Sequence, residues 1–285
     1  MARIDSLSID LQTTGKDKLA EAYGKVIENL QEVTLADKLK NKDLSGDPTT
    51  GTVEAKRFTN VVGKPYGTAR TATKADNVKA LPVVIAINDD VEYIEEVEEK
   101  DLRTYGVDGL IQRRTKNHQD AEAVDEDTKF FAEAVTQGTA LTIPDTITDP
   151  ADEIEKAIQT LQTVKNDFVN GVPRTYINVV MSPEWYGKLR NKINAIPNSN
   201  DLGQVRNYEG GIFNNTKIFS SVFLPAGTDY IVMVDGAVAQ PVMTSISNPE
   251  KIQLSDSTAF GLFTYKGTKT VTPDLIFYKG TGISA

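Results

Sequence analysis

Eight carboxylates and one lysine crowd the stretch INDDVEYIEEVEEKDL, from Ile87 to Leu102: Asp89, Asp90, Glu92, Glu95, Glu96, Glu98, Glu99 and Asp101 beside Lys100. Side chains of this type do two kinds of chemistry: they ligate hard cations through oxygen, and they move protons between paired carboxyls. A calcium loop folds its oxygens round a tight turn with glycine at the bend. No glycine lies between Ile87 and Leu102. The run also alternates with Val91, Tyr93 and Val97, so an extended backbone sends its carboxylates to opposite faces. The pattern fits a strand face that meets solvent or another subunit better than a metal site.

The other candidates are thinner. His118 is the one histidine, and cysteine is absent. Zinc sites built on Cys and His, and nucleophilic Cys/His or Ser/His/Asp schemes, therefore lack parts or have one possible base. YKGTKT (Tyr265 to Thr270) lacks the Gly-Lys-Ser/Thr order of a phosphate loop, and VGKPYG (Val62 to Gly67) lacks the strand–turn–helix setting. Trp185, Tyr186 and Leu189 read as a helix packed on the strand before it, not as a ligand pocket. The expectation is a protein that is not an enzyme and has no cofactor and no metal.

From Leu81 the odd positions are Leu81, Val83, Ile85, Ile87, Asp89, Val91, Tyr93, Glu95 and Val97, seven of the nine apolar, while Asn88, Asp90, Glu92, Ile94 and Glu96 sit between the later ones. That period of two predicts one long strand with an acidic face in its second half. With Val53, Ala55 and Phe58 before the turn-rich NVVGKPYGTARTATKADNVK, residues 53–97 read as a long two-stranded arm with a polar tip. A two-stranded ribbon is marginal alone in water, and its open edges invite pairing.

Leu19, Tyr23, Val26, Ile27 and Leu30 predict an N-terminal helix, with Asp17 placed to cap it. The segment from Gly106 to Gly138 predicts a helix beyond roughly 40 Å long, with a stripe through Val107, Leu110, Ile111, Arg114, His118, Ala121, Val124, Phe131, Ala134 and Val135. Ala151, Ile154, Ile158, Leu161, Val164 and Phe168 predict an amphipathic helix. Thr175 to Met181 reads as a buried strand running into a helix with Ser182 as cap and Pro183 in its first turn. Trp185, Leu189, Ile193 and Ile196 form that helix's inner face. Short strands and turns follow.

Composition sets the outer limits. The 285 residues carry 31 Lys+Arg against 40 Asp+Glu, a formal net charge of −9. An acidic balance argues against a surface that grips DNA throughout, because affinity for phosphate needs excess basic charge. Without cysteine there are no disulfides. The start lacks a signal-peptide pattern, and no apolar run approaches the roughly 20 residues that span a bilayer. The expectation is a soluble protein made in a cytoplasm, with no membrane partner.

The order of these parts, together with NVVMSPEWYGKLRN, GGIFNNTKIFSSVFLPAGTDYIVMVDGAVA and the closing TPDLIFYKGTG, resembles the major capsid proteins of tailed bacteriophages, over nearly the whole chain. The resemblance implies an α+β fold of the Hong Kong 97 type. Residues 1–52 would form an N-terminal arm and helix, 53–97 the extended β-arm (E-loop), and 98–149 a peripheral (P) domain with the spine helix. Residues 150–245 would form the axial (A) domain, and 246–285 would return to the P domain. It further implies self-assembly into hexamers and pentamers of an icosahedral shell. That shell would enclose double-stranded DNA without reading its sequence, and would be built in a bacterial cytoplasm as a virion capsid. Some family members begin with a scaffolding segment that is later removed; here the arm follows soon after Met1, which implies a separate scaffolding protein, and a portal is implied too. Lys64, Lys74 and Lys79 lie in the arm, but no matching Asn and Glu is identified, so no crosslink is carried over. The alternative in the same fold is an encapsulin-type compartment loaded with protein. From other classes, an enzyme lacks a convergent site, and a β-rich tail or attachment protein would not need the long central helix.

Charge suggests where copies meet. Residues 55–80 hold Lys56, Arg57, Lys64, Arg70, Lys74 and Lys79 against Asp76, whereas residues 88–101 hold the eight acids and Lys100. Adjacent segments of opposite sign can pair within one chain; in a shell, Lys64, Arg70 and Lys74 of one copy are instead expected to meet Glu92, Glu96 and Glu98 of the next. Exposed pairs contribute only about 0–1 kcal/mol each, so they would set register more than strength.

Overall fold

The computed structural model describes residues 34–61, 63, 80–98, 107–195, 210–246, 250–255 and 257–280. The expected helix around Leu19 to Leu30, and the arm residues Lys64, Arg70 and Lys74, lie outside them. In chain order, α1 (Leu35–Leu39) leads to β1 (Leu44–Ser45), a 3-10 turn at Pro48–Thr50, and β2 (Thr52–Phe58). Asp47 caps the turn by accepting from Thr49 N at 3.0 Å, and Gly51 leaves it at φ 80, a conformation costly for residues with a Cβ. Then come β3 (Ala80–Ala86), β4 (Asp89–Glu98), α2 (Val107–Gln137), β5 (Thr139–Ala140), α3 (Pro150–Gln162), β6 (Ile177–Met181) and α4 (Pro183–Ala195). The remainder is strand: β7 (Gly210–Phe213), β8 (Thr216–Ser220), β9 (Thr228–Val234), β10 (Val238–Ala239), β11 (Val242–Ile246), β12 (Glu250–Lys251), β13 (Ser257–Lys266), β14 (Lys269–Thr270) and β15 (Ile276–Gly280).

The chain divides into two units. One comprises Met1–Lys38, Ile87–Asp127 and Pro241–Gly267; the other comprises Leu39–Ala86, Thr128–Gln240 and Thr268–Ala285. The residues from 246 onward thus divide between the units at Gly267. In the first unit β13 is the central strand, with β4 along one edge and β11 and β12 along the other. In the second, six strands run in the order β5-β15-β9-β6-β8-β7, and a separate three-stranded sheet is ordered β1-β2-β3.

The single strand expected from Leu81 to Val97 is two strands. β3 pairs with β2 from Phe58↔Ala80 to Thr52↔Ala86, and there its partner ends, because Gly51 turns the chain away. Two residues later β4 pairs instead with β13. Alternation ran through Ile87 and Asn88 without a gap because both strands are half-buried and share a period of two.

The second unit's core explains its helices. Asp149 caps α3 by accepting from Ala151 N at 3.0 Å, with Pro150 in the first turn. Ile154, Ala157, Ile158 and Leu161 then pack with Ile177, Val179, Met181, Trp185, Leu189, Tyr230 and Val232. α3 ends at Gln162, earlier than the stripe to Phe168 implied, and the chain then bends through a loop closed by an antiparallel bridge between Lys165 and Asn170. All five residues of β6 are buried, as the apolar run INVVM requires of an interior strand. Ser182 precedes α4, and its Oγ accepts from Trp185 N at 3.4 Å.

Candidate assembly surface and its buried support

β4 pairs with β13 over its full ten residues, from Asp89↔Lys266 to Glu98↔Ser257. The pleat then sorts the side chains. Asp90, Glu92, Ile94, Glu96 and Glu98 are exposed, while Tyr93 and Glu95 are half-buried and engage α2. Ile94 stands 63% exposed among the carboxylates. Same-face neighbours on a strand lie about 7 Å apart, inside the roughly 8 Å Debye length at physiological salt. Asp90 and Glu92, and likewise Glu96 and Glu98, therefore repel each other across the face, and Ile94 stands between the two pairs. Glu92, Glu96 and Glu98 lie together on it as expected.

The opposite face is held by buried charge. Lys266, at the end of β13, is 0% exposed. Its ammonium donates to Glu122 Oε1 at 2.6 Å and pairs with Asp125. Tyr93 donates its hydroxyl to Glu122 Oε2 at 2.8 Å. Burial raises the Tyr93 pKa, and the hydrogen bond to Glu122 and the charges of Glu122, Asp125 and Glu126 raise it further, so the phenol stays protonated as the donor. One step along β4, His118 Nε2 lies 2.8 Å from Glu95 Oε1, and its ring stacks on Tyr93 with centroids 5.3 Å apart. His118, Glu122 and Glu126, at i, i+4 and i+8, are thus the buried face of this part of α2, while Ala121 and Val124 are exposed. The expected stripe through Ala121 and Val124 does not face inward: apart from the buried Ala123, the inward residues are polar, because the helix faces charged and phenolic groups on the strands. From Phe130 onward the stripe is apolar, with Phe130, Phe131, Ala134 and Val135 buried.

Asp127 closes the first unit's share of α2. Its carboxylate accepts from Ala36 N at 2.7 Å and Leu35 N at 3.3 Å, serving as a long-range cap for α1. Burial raises its pKa, against the two backbone bonds and the charge of Lys38.

In the second unit, Arg57 of β2 forms a fork with Asp274, 2.6 Å on both arms, and lies 3.9 Å over the Phe168 ring. Burial works against the Asp274 charge, but Arg57 and Asn166 outweigh it and hold the pKa below the ordinary value. Arg57, counted above among the basic arm residues, is spent within its own chain. Lys56 is the exposed one. An open cleft of about 560 Å³ is lined by Leu141, Ile143, Pro144, Glu153, Asp229 and Lys279 among others. Its buried acid, Glu153, already accepts from Tyr230 Oη at 2.9 Å and from Lys279. Among the described residues no group of three or more His, Asp or Glu is placed to hold a metal ion.

The pairs Lys266–Glu122 and Arg57–Asp274 escaped the sequence reading. Nothing local marks the partners, which lie 144 and 217 residues away.

A family model described as phage capsid protein matches residues 89–280. Solved structures match with low identity and high coverage. Mycobacterium phage Che8 gives a TM-score of 0.61 at 23% identity, over 80% of this chain and 84% of that one. The capsid of cyanophage P-SCSP1u gives 0.62 at 16%, over 87% and 88%. A virus-like particle from Pyrococcus furiosus gives 0.55 at 12%, over 92% and 98%. No curated protein matches significantly.

Proposed function

Because this chain belongs to the phage capsid protein family and is a structural major capsid protein with an α+β capsid fold, we propose how its parts build the shell. The arm beginning at β2 and β3 is the E-loop, α2 is the spine helix, and the β4–β13 sheet belongs to the peripheral domain. Residues of 150–245 in the second unit form most of the axial domain. The finished shell is icosahedral and encloses double-stranded DNA. Its copies assemble in the bacterial cytoplasm around a separate scaffolding protein and a portal. Because the family match is to phage capsid proteins, the encapsulin-type compartment is the weaker reading.

The contact between copies is electrostatic in register: Lys64, Arg70 and Lys74 of one subunit's arm lie along Glu92, Glu96 and Glu98 of the next. One observation supports this, the ten-residue β4–β13 register that leaves those three glutamates on an exposed face. Each pair is weak, but closure of the shell makes later contacts effectively intramolecular, so many add up. Weak contacts also let misplaced subunits leave. The acidic balance suits a container, since a strongly basic lining would hold DNA by counterion release.

Negative-stain microscopy of overexpressed protein should show shells, tubes or capsomer rings; a monomer at high concentration would overturn the assembly proposal. Reversal of Arg70 and Lys74 to Glu should lower the yield of particles and change its salt dependence. Adding Glu92→Lys and Glu96→Lys should restore part of it. Unaltered yield and salt response in the first variant would refute the pairing.

A further inference from the structure

The β2–β3 hairpin loses apolar support toward its far end. Near its base Val53, Ala55 and Ile85 are buried. Two rungs on and on the same face, at Arg57↔Leu81, Leu81 is 56% exposed. A two-stranded ribbon without a packed face is marginal, so something other than core burial must hold it at this level.

The polar contacts gather there. Arg57 forks onto Asp274 and stacks on Phe168. Asp274 is itself held by Asn166 Nδ2 and sits in the Pro273–Leu275 turn, whose Leu275 is anchored in the core. Asn166 Oδ1 accepts from Phe168 N and Val169 N at 2.9 Å, which fixes the loop that carries the ring. Asn60 N donates to Asp167 O at 2.8 Å. Nearer the base, where Val84 lies opposite Glu54, Lys269 Nζ donates to Val84 O at 2.8 Å. A guanidinium held by two parallel bonds in the plane of a carboxylate and by a ring below is constrained in angle as well as distance.

We infer that Arg57, gripped by Asp274 and Phe168, is a positioning residue that fixes the angle at which the arm leaves its own subunit, and through that angle the geometry of the assembled shell. This rests on the reading of the hairpin as the arm that reaches a neighbour. The 21 residues between Phe58 and Ala80 give the arm a reach of at most about 35 Å out and back. For an arm at that limit, a 10° change at the clamp would move the far end by up to about 6 Å, more than a hydrogen bond tolerates. Lysine cannot replace this arginine, because a point charge lacks the fork and the planar stack.

The test uses full-length Arg57→Lys, Arg57→Ala and Asp274→Asn beside wild type. Amide exchange of the unassembled protein reads the hinge, and negative-stain diameters read the shell. Expected are exchange faster by about tenfold or more in β2 and β3, unchanged exchange in β9 and β15, and particles of mixed diameter or open sheets. Arg57→Asp combined with Asp274→Arg should recover part of the uniformity, which a general loss of stability would not. If Arg57→Ala does not fold, Asp274→Asn decides. Uniform shells of wild-type diameter from Arg57→Lys and Asp274→Asn overturn the inference, and so does loss of the whole fold in both, which would make the contact a folding determinant. Wild type that forms no shells would count against the proposed function instead.

Discussion

Replacing Lys266 with Met tests the buried network under the acidic strand. The lysine is fully enclosed, and its partner Glu122 is 3% exposed. Met fills most of the aliphatic volume but leaves Glu122 charged with one remaining donor, the Tyr93 hydroxyl. Removing one member of a buried pair costs about 3–5 kcal/mol, because the other charge is stranded. Asp125 adds little, since its side chain is one-third exposed and can turn to water. Lys266→Met with Glu122→Gln removes both charges and keeps an acceptor for Tyr93. Such paired replacements are often close to neutral, so the double variant should lie about 2–4 kcal/mol above the single one. Urea denaturation of unassembled subunits at neutral pH, followed by circular dichroism, gives the free energies. Amide exchange on β4 and β13 gives the location. A cost below about 1 kcal/mol for the single variant, outside the stranded-charge range, would refute the argument. So would a double variant no more stable than the single.

Two carboxylates should respond to pH in opposite senses. Asp274 has a lowered folded pKa, so its stabilisation is full above the unfolded value of about 3.9 and lost as pH falls through the folded one. Acid melting curves of wild type and Asp274→Asn should therefore converge at low pH. Asp127 has a raised folded pKa, so its contribution is greatest below about pH 3.9 and fades as pH rises through the folded value. The advantage of wild type over Asp127→Asn should grow on acidification, and a constant difference would contradict the burial argument. Asp127→Ala at neutral pH should also speed amide exchange in α1, with a loss of about 1 kcal/mol from the missing cap. Gly138→Ala would set a Cβ 2.6 Å from Ala134 O and 2.9 Å from Ile276 Cγ2. Thermal melting should show a cost of about 1–3 kcal/mol from the forced shift of β15.

Local pattern carried much of the outline. The acidic alternation placed Glu92, Glu96 and Glu98 on one face, Gly138 ended the long helix, and Ser182 and Pro183 marked the start of α4. Those features depend on a residue and its near neighbours, through a repeat of two or of 3.6 or through a cap. The same alternation hid the break at Ile87, because a period of two reports that a strand is half-buried and carries no mark of its partner. That β4 leaves β3 for β13, that Lys266 neutralises Glu122, and that Arg57 meets Asp274 across 217 residues are decisions of the tertiary structure alone. A buried charge is tolerable only beside its counter-charge, and where the folded chain delivers that counter-charge is a property of long-range packing that no window of sequence contains.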